Sequence, residues 1–336
     1  MKDIPKQGDK GGNPMKLKIA LLRLLEENRD RDLSGEWLAK QSGVSRNAVW
    51  KAIKALQADG YRISAGENRG YRLSPENDTL SAGGIADAIC NPLKGLSLYL
   101  HRRIDSTNDE AKRLIASGEK GMALVVAEGQ TAGRGRQGKS FYSPEQTGVY
   151  MTLSLPTSLA FSDAVSVTTA TAIAVHSAIY KLTGIETKIK WVNDLYLNGK
   201  KVCGILTEAV SDLETGMVQH MIIGIGLNWS TMSFPSDLQE IATSLAAPRD
   251  ISRNRMIAAV VDALFDTLKN DRSANLALYR RHSMVLGKEI TYLKNGEGFH
   301  ARAIDIDENG GLVVEHTDGS RITLQSGEIS LRVDKT

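Results

Sequence analysis

The hydrophobic period of this chain changes twice along its length, which confines it to a fold of three differently built segments. In the first, Leu17, Leu21, Leu24 and Leu25 recur at helical spacing, so an amphipathic helix is expected over 16–28. Ser34 is placed to cap a short helix over 35–41, and Ser45 a third over 46–57. Val49, Ala52, Ile53 and Leu56 give that third helix one apolar face. The turn Ser42-Gly43-Val44 between the two short helices makes a helix-turn-helix pattern. Short strands are expected at 61–63 and 71–73 around a polar turn over 64–70, which completes a winged helix.

From about Thr79 to Ser283 strand-like and helical runs alternate. Strands are expected at 96–104, 123–127, 149–155, 194–197, 202–206 and 221–227, with helices over 107–117, 164–182 and 255–269. Asn198-Gly199 between two of the strands is a strong hairpin signal. This mixture predicts an α/β or α+β layer fold. The third segment, about Val285 to Val333, has no helical period. Short strands at 289–293, 300–306, 312–315, 321–325 and 328–332, separated by Asn-Gly and Asp-Gly turns, predict a small β-barrel. The whole is therefore read as α+β, with domains at 15–77, 79–283 and 284–336 after a polar, Gly- and Lys-rich tail over 1–14 that is expected to lack structure, Met15 being an alternative start.

Composition narrows the class. No apolar run approaches the roughly 20 residues of a membrane span, and the N-terminus has no apolar signal core. Cys90 and Cys203 lie far apart, as expected of reduced thiols in a cytoplasmic protein. Six histidines are scattered with no nucleophile or metal pattern among them. A net charge of +3 says little about nucleic acid unless it is locally concentrated.

The chemistry concentrates in Gly133-Arg134-Gly135-Arg136-Gln137-Gly138-Lys139. Glycines let a backbone approach a ligand closely and expose its N–H groups, and arginines fork onto phosphate or carboxylate oxygens. Gly133 to Ser140 also satisfies the P-loop pattern G-x-x-x-x-G-K-S. A P-loop follows directly on a strand and opens a helix, whereas here five residues intervene after the strand and Pro144 follows closely. The segment is therefore read as a phosphate-binding loop of another kind.

Glu128 to Lys139 resembles the ligand loop of biotin protein ligases. Asp105-Ser106-Thr107-Asn108, Lys190-Trp191-Val192-Asn193-Asp194 with Gly204-Ile205-Leu206-Thr207-Glu208, and Gly224-Ile225-Gly226-Leu227-Asn228 resemble three further signatures of the family, in its order. The helix-turn-helix and the closing Ser326-Gly327-Glu328-Ile329-Ser330 place the resemblance in the bacterial class that also represses biotin genes, over about Met15 to Val333. Three departures stand out: Lys139 where the family usually has Arg, Phe141 where it has Trp, and Val192 where it has Pro.

The resemblance implies a class II synthetase-like central domain and an SH3-like C-terminal barrel. It implies a biotin–[biotin carboxyl-carrier protein] ligase that forms biotinyl-5′-AMP from biotin and ATP, then biotinylates a carrier lysine, as on an acetyl-CoA carboxylase subunit. Lys190, Arg134 and Arg136 would be catalytic, with Mg²⁺ on the phosphates and its protein ligands left open. Ser106, Thr107, Asn108, Gln130, Gly135, Gly204, Ile205 and Leu206 would join these three around biotin, and Ser106 also suits a helix N-cap. Gly133, Lys139, Phe141, Asn193 and Asn228 would join the two arginines around ATP. The loop is expected to be mobile until ligand orders it.

Ser45, Arg46, Asn47, Trp50, Lys51 and Lys54 on the third helix, with Arg69 at the wing, form the expected DNA face. The resemblance makes its target the operator of biotin synthesis or uptake genes, bound by a homodimer with the adenylate as corepressor. Two alternatives stay open: a biotin-sensing transcription factor with an inactive ligase domain, and a lipoate or other acyl-adenylating ligase.

Overall fold

The structure is a computed structural model that describes residues 14–29, 31–66, 69–74, 77–90, 95–157, 164–211, 217–248, 251–294, 297–325 and 329–331. The tail over 1–13 and the closing residues Ser326, Gly327 and Glu328 lie outside the described residues. The chain divides into two compact units, Met1–Ala88 and Ile89–Thr336.

In the first unit, helices α1 (Pro14–Glu27), α2 (Gly35–Ser42) and α3 (Arg46–Ala58) surround a core of Leu21, Leu25, Leu38, Val49, Ile53 and Leu56. Both predicted caps form. Ser34 Oγ accepts from Trp37 N at 3.0 Å and Ser45 Oγ from Ala48 N at 3.2 Å. Gly43, at φ 65°, supplies the left-handed turn between α2 and α3. The wing is longer in strand than its polar sequence suggests. Strands β1 (Ile63–Gly66) and β2 (Gly70–Leu73) pair antiparallel, so most of the expected turn is ladder. Tyr71 also exchanges two 2.8 Å backbone bonds with Leu33. Gly70 makes this third line of pairing possible, because a Cβ there would stand 2.3 Å from Leu33 O. A helix the apolar pattern does not reveal, α4 (Ala82–Ala88), closes the unit; its sequence AGGIADA is short and glycine-rich, with Ile85 as its buried residue.

The second unit is built on a seven-stranded mixed sheet. Its strands, in sequence order, are β3 (Leu96–His101), β4 (Met122–Ala127), β5 (Gly148–Pro156), β6 (Lys188–Lys190), β7 (Asp194–Leu197), β8 (Lys200–Ser211) and β9 (Val218–Asn228). Their spatial order is β3-β4-β5-β9-β8-β7-β6, with β3 and β4 parallel and the other pairs antiparallel. One face carries α5 (Thr107–Ala116), whose Ala111 packs on Val125 and Ile222. The other carries α6 (Ala164–Thr183) and α7 (Arg253–Lys269), with Thr168 Oγ1 donating to Thr207 Oγ1 at 2.8 Å. Helix α8 (Arg272–His282), which lacks a clear apolar stripe, packs beside α6.

The last strands, β10 (Glu289–Lys294), β11 (Glu297–Ile306), β12 (Leu312–Glu315), β13 (Arg321–Leu324) and β14 (Ile329–Leu331), form an antiparallel sheet in the order β13-β12-β11-β10-β14. Among the described residues no ladder joins β13 to β14. No helix among the described residues is long and apolar enough to cross a membrane.

Behind β6, the buried His176 ring on α6 lies 3.9 Å, centroid to centroid, from His282 at the end of α8. Burial and the His282 ring push the His176 imidazole from 6.5 down to about 4. Between those two values the unfolded chain holds a proton there that the folded chain does not, so acid favours unfolding across that window. We expect the stability difference between the wild-type chain and His176→Leu to shift by about 3 kcal/mol between pH 7 and pH 4, read by urea titration of the buried Trp191 and Trp229. A difference independent of pH would show that His176 is not held neutral.

Candidate active site and DNA face

The site face of the large sheet is set by register. Lys190 pairs with Asp194, Asp194 with Gly204, and Gly204 with Gly226, so these four share one face. Lys201 would fall on the opposite face from Gly204 under strict alternation. A register shift between Leu195 and Tyr196 pairs Tyr196 with Lys201, and this bulge turns Lys201 onto the site face. Strict alternation is why sequence reasoning missed Lys201.

Three glycines leave the middle of that face without side chains. A Cβ on Gly224 would stand 2.1 Å from Asn108 Oδ1, one on Gly226 2.6 Å from the Phe141 ring, and one on Gly204 3.3 Å from the same ring. Phe141 and the N-terminal turn of α5 therefore rest directly on the sheet. Ser106, 1% exposed, caps α5, its Oγ accepting from Asp109 N at 3.4 Å. Thr152 on β5 donates to Asn108 Oδ1 at 2.6 Å, and Gln130 Oε1 accepts from Thr107 N at 2.8 Å. Asp105, just before the cap, holds a bidentate pair with Arg113 at 2.7 and 2.9 Å, which draws its carboxyl down to about 2.

The ligand loop is closely tied down. Thr131 N and Ala132 N bond Ile104 O and Asp105 O, Phe141 N bonds Gly133 O at 2.8 Å, and Gly135 N bonds Lys139 O at 2.7 Å. A Cβ on Gly133 would strike Phe141 O at 2.5 Å, so this glycine is required by packing. Arg136 to Gly138 form one 3-10 turn with Gln137 at φ 54°, and the residues after it are extended, with no helix such as a P-loop opens.

Two connected cavities lie under this loop. The narrower, about 40 Å³, is lined by Ser106, Thr107, Asn108, Gln130, Arg134, Gly135, Arg136 and the backbone of Gly204, Ile205 and Leu206. The wider, about 280 Å³, is lined by Lys139, Lys190 and Asn228 among the expected residues, and by Asp194, Tyr142, Tyr196, Phe234 and Ile329, which were not expected. Gly135, Arg136, Phe141, Asn193 and Lys201 border both and form the neck between them. Gly133 lines neither and serves the loop's own geometry.

Charge gathers at the neck. Arg136 Nη1 donates to Asn193 Oδ1 at 3.3 Å, and Asn193 Nδ2 to Ile205 O at 2.9 Å. Lys201 Nζ lies 2.8 Å from Asp194 Oδ1, an ion pair outside hydrogen-bond geometry that leaves this buried oxygen without a hydrogen bond. Lys190 Nζ sits 5.6 Å above the Tyr196 ring. Arg134 turns away toward Asp109, at 2.6 Å. Cys203, one residue from Gly204, is fully buried and its thiol is pushed up, so it is inert. No cluster of three or more metal-ligating side chains occurs among the described residues.

In the first unit, Arg46, Asn47, Trp50, Lys51 and Lys54 are all exposed along α3, Trp50 by 50%. Ser45 is exposed at the start of that helix and Arg69 is exposed on the wing. The apolar positions of α3 are consumed by the core, so an exposed tryptophan among cations is not a packing residue.

Comparison with known proteins agrees with both units. The helix-turn-helix domain model matches residues 18–72, the biotin/lipoate A/B protein ligase family model residues 100–228, and the biotin protein ligase C-terminal domain model residues 285–332. The bifunctional ligase/repressor BirA of Bacillus subtilis (strain 168) is 33% identical, covering 94% of this chain and 98% of its own length. BirA of Escherichia coli (strain K12) is 30% identical over 95% of this chain and 97% of its own. The solved biotin protein ligase from Aquifex aeolicus in complex with biotin and ATP aligns with a TM-score of 0.61 at 26% identity, covering 70% of this chain and 98% of that one. Matched along nearly its whole length by such relatives, this chain belongs to the family of bifunctional biotin ligase/repressors.

Proposed function

We propose that this chain joins biotin to ATP in its two connected cavities, passes the biotinyl group to a carrier lysine, and represses transcription through α3. The observation that carries the ligase reading is the neck. Arg136 and Lys201 border both cavities, where a carboxylate held in the narrow one would meet the α-phosphate of a nucleotide held in the wide one, and Lys190 lines the wide cavity. Bringing an anion to a polyanion is the barrier of adenylation, and fixed cations at the meeting point lower it.

In this reading Ser106, Thr107, Asn108 and Gln130 bind the ureido ring of biotin, and Gly204 to Leu206 supply a backbone wall. Lys201 and Lys190 hold the carboxylate and the α-phosphate oxygens, and Arg136 neutralises charge as pyrophosphate leaves. Asn193 keeps Arg136 aimed. Phe141, standing on Gly204 and Gly226, divides ring from nucleotide and offers its edge to adenine, with Asn228 and Lys139 farther along the wide cavity. At about 40 Å³ the narrow cavity admits a bicyclic acid only when its walls part. The closed loop then keeps water from the anhydride until a carrier lysine attacks it.

Mg²⁺ fits the donor set, because it prefers phosphate and water oxygens and needs few protein ligands. Asp194, whose buried oxygen lacks a hydrogen bond, is the carboxylate that would hold it. When bound, the ion neutralises the phosphates and orients them.

The DNA face suits a major groove, with Ser45, Arg46 and Asn47 at the helix start and Lys51, Lys54 and Arg69 toward phosphates. A helix-turn-helix of this kind reads one half of a two-fold operator, so we propose a cytoplasmic homodimer with biotinyl-5′-AMP as its corepressor. Operators of biotin synthesis or uptake genes are the natural target.

Incubation with biotin, ATP, Mg²⁺ and a biotin carrier domain is expected to label one carrier lysine. Failure to label, with biotin still bound, would support a sensor without ligase activity; lipoate labelling in its place would support the other acyl class. Lys190→Ala and Lys201→Ala are each expected to slow pyrophosphate release by about 10²- to 10³-fold. A near-normal rate in either would remove that lysine from the neck's chemistry.

Arg46→Ala and Lys51→Ala should weaken operator binding and each reduce the slope of log affinity against log salt by about 1, while leaving ligation intact. An unchanged salt slope would place these residues off the DNA.

A further inference from the structure

Glu208 ends the signature Gly204-Ile205-Leu206-Thr207-Glu208, yet it borders neither cavity and has no part in the reaction described above. Its side chain is largely enclosed, 22% exposed, on β8. One carboxylate oxygen, Oε2, accepts from Asn108 Nδ2 at 2.8 Å. The other, Oε1, accepts from Lys112 Nζ at 2.8 Å and faces Arg134 Nη2 at 3.5 Å. Arg134 is the first arginine of the ligand loop, and its other arm donates to Asp109 on α5 at 2.6 Å. Lys112 closes the group, 3.6 Å from Asp109.

The loop's first arginine is thus gripped by two carboxylates of the rigid scaffold, one on α5 and one on β8. Two anions and two cations alternate, so none of the four faces an uncompensated neighbour. The same Glu208 reaches inward as well as outward. Asn108, 4% exposed, lines the narrow cavity and is fixed on its far side by Thr152. Any group that bonds Asn108 from within the cavity acts on the residue that orients Glu208, and Glu208 in turn orients Arg134.

We propose that Glu208 is a positioning residue that couples the narrow cavity to the ligand loop, with Arg134 as the latch and Asp109 as its second catch. The proposal rests on the reading of that cavity as the acid site. It gives the two arginines of Gly133 to Lys139 separate work: Arg136 faces the reacting phosphate, and Arg134 keeps the loop down. It also assigns the loop's closure to side chains of the scaffold, beyond the backbone bonds the loop makes with itself.

The test uses the full chain and the variants Glu208→Gln and Asp109→Asn, singly and together. Both keep size and remove charge. Trypsin cleavage after Arg136 and Lys139, followed by mass spectrometry, reads opening of the loop without requiring ligation. Each single variant is expected to raise loop cleavage about fivefold, and the pair more, as removal of one partly enclosed ion pair predicts. KM for biotin should rise by a similar factor, with kcat for adenylation within about twofold of wild type, because ground-state holding is lost and the neck is intact. Arg134→Lys, which keeps the charge and loses the fork, should fall between.

Wild-type loop cleavage in the double variant would overturn the proposal, since backbone bonds alone would then hold the loop. Cleavage raised equally at sites throughout the chain, with a lowered melting temperature, would also overturn it by making Glu208 a packing residue. If biotin is not a substrate, the KM arm fails while the cleavage arm still decides whether the latch exists.

Discussion

The absence of side chains at Gly204, Gly224 and Gly226 is the constraint on which the rest of the site depends. These glycines sit on two neighbouring strands, and Gly204 and Gly226 are directly paired. A methyl group at Gly224 or Gly226 would displace Asn108 or Phe141, and one at Gly204 would crowd Lys201 and Phe141. Asn108 brings α5 with it, and Phe141 brings the whole ligand loop. Both depths of the site, the narrow cavity under α5 and the wide one beyond Phe141, are therefore consequences of a bare patch of sheet. A larger side chain there would not merely fill a pocket; it would lift the roof.

Electrostatics gives that pocket its direction. Arg136 and Lys201 line the neck, and Lys190 and the carboxylate of Asp194 line the wide cavity. Around the loop other cations pair with carboxylates, as in Arg134 with Asp109 and Arg113 with Asp105. Cations gathered in an enclosed site are stabilised by any anion that enters, more so as water is excluded. Closing the loop on a carboxylate and a triphosphate thus strengthens the contacts that accelerate their reaction.

The sequence makes the two ends of this logic legible and hides the middle. The three helices around the helix-turn-helix, their caps and the exposed row on α3 follow from period and capping chemistry. So does the loop, because three glycines and three cations in seven residues have few other uses. Lys201 is hidden because it reaches the site through a bulge, and a one-residue shift in register reverses the face of every side chain beyond it. Helix α4 is hidden because its glycines weaken the helical signal, and α8 because its apolar residues are too few to form a stripe. The small sheet's strands are visible because Asn-Gly and Asp-Gly turns mark their ends.

The C-terminal sheet looks dispensable to a site made of loop and central sheet, yet the hydrogen bonds argue otherwise. Lys190 is the last residue of a three-residue edge strand, too short to fix itself. What fixes it is tertiary. Met284 N bonds Ile189 O at 2.9 Å, Tyr279 Oη donates to Val192 O at 3.1 Å, and Trp191 Nε1 donates to Gly310 O at 2.9 Å. Tyr279 and Trp191 are both buried, so each bond is made where water offers no substitute. Gly310 belongs to the turn between β11 and β12, and Ile329 of β14 lines the wide cavity itself. Helix α8, the segment just after it and the Gly310 turn of the small sheet together hold the segment that carries Lys190 and Asn193, all within one compact unit.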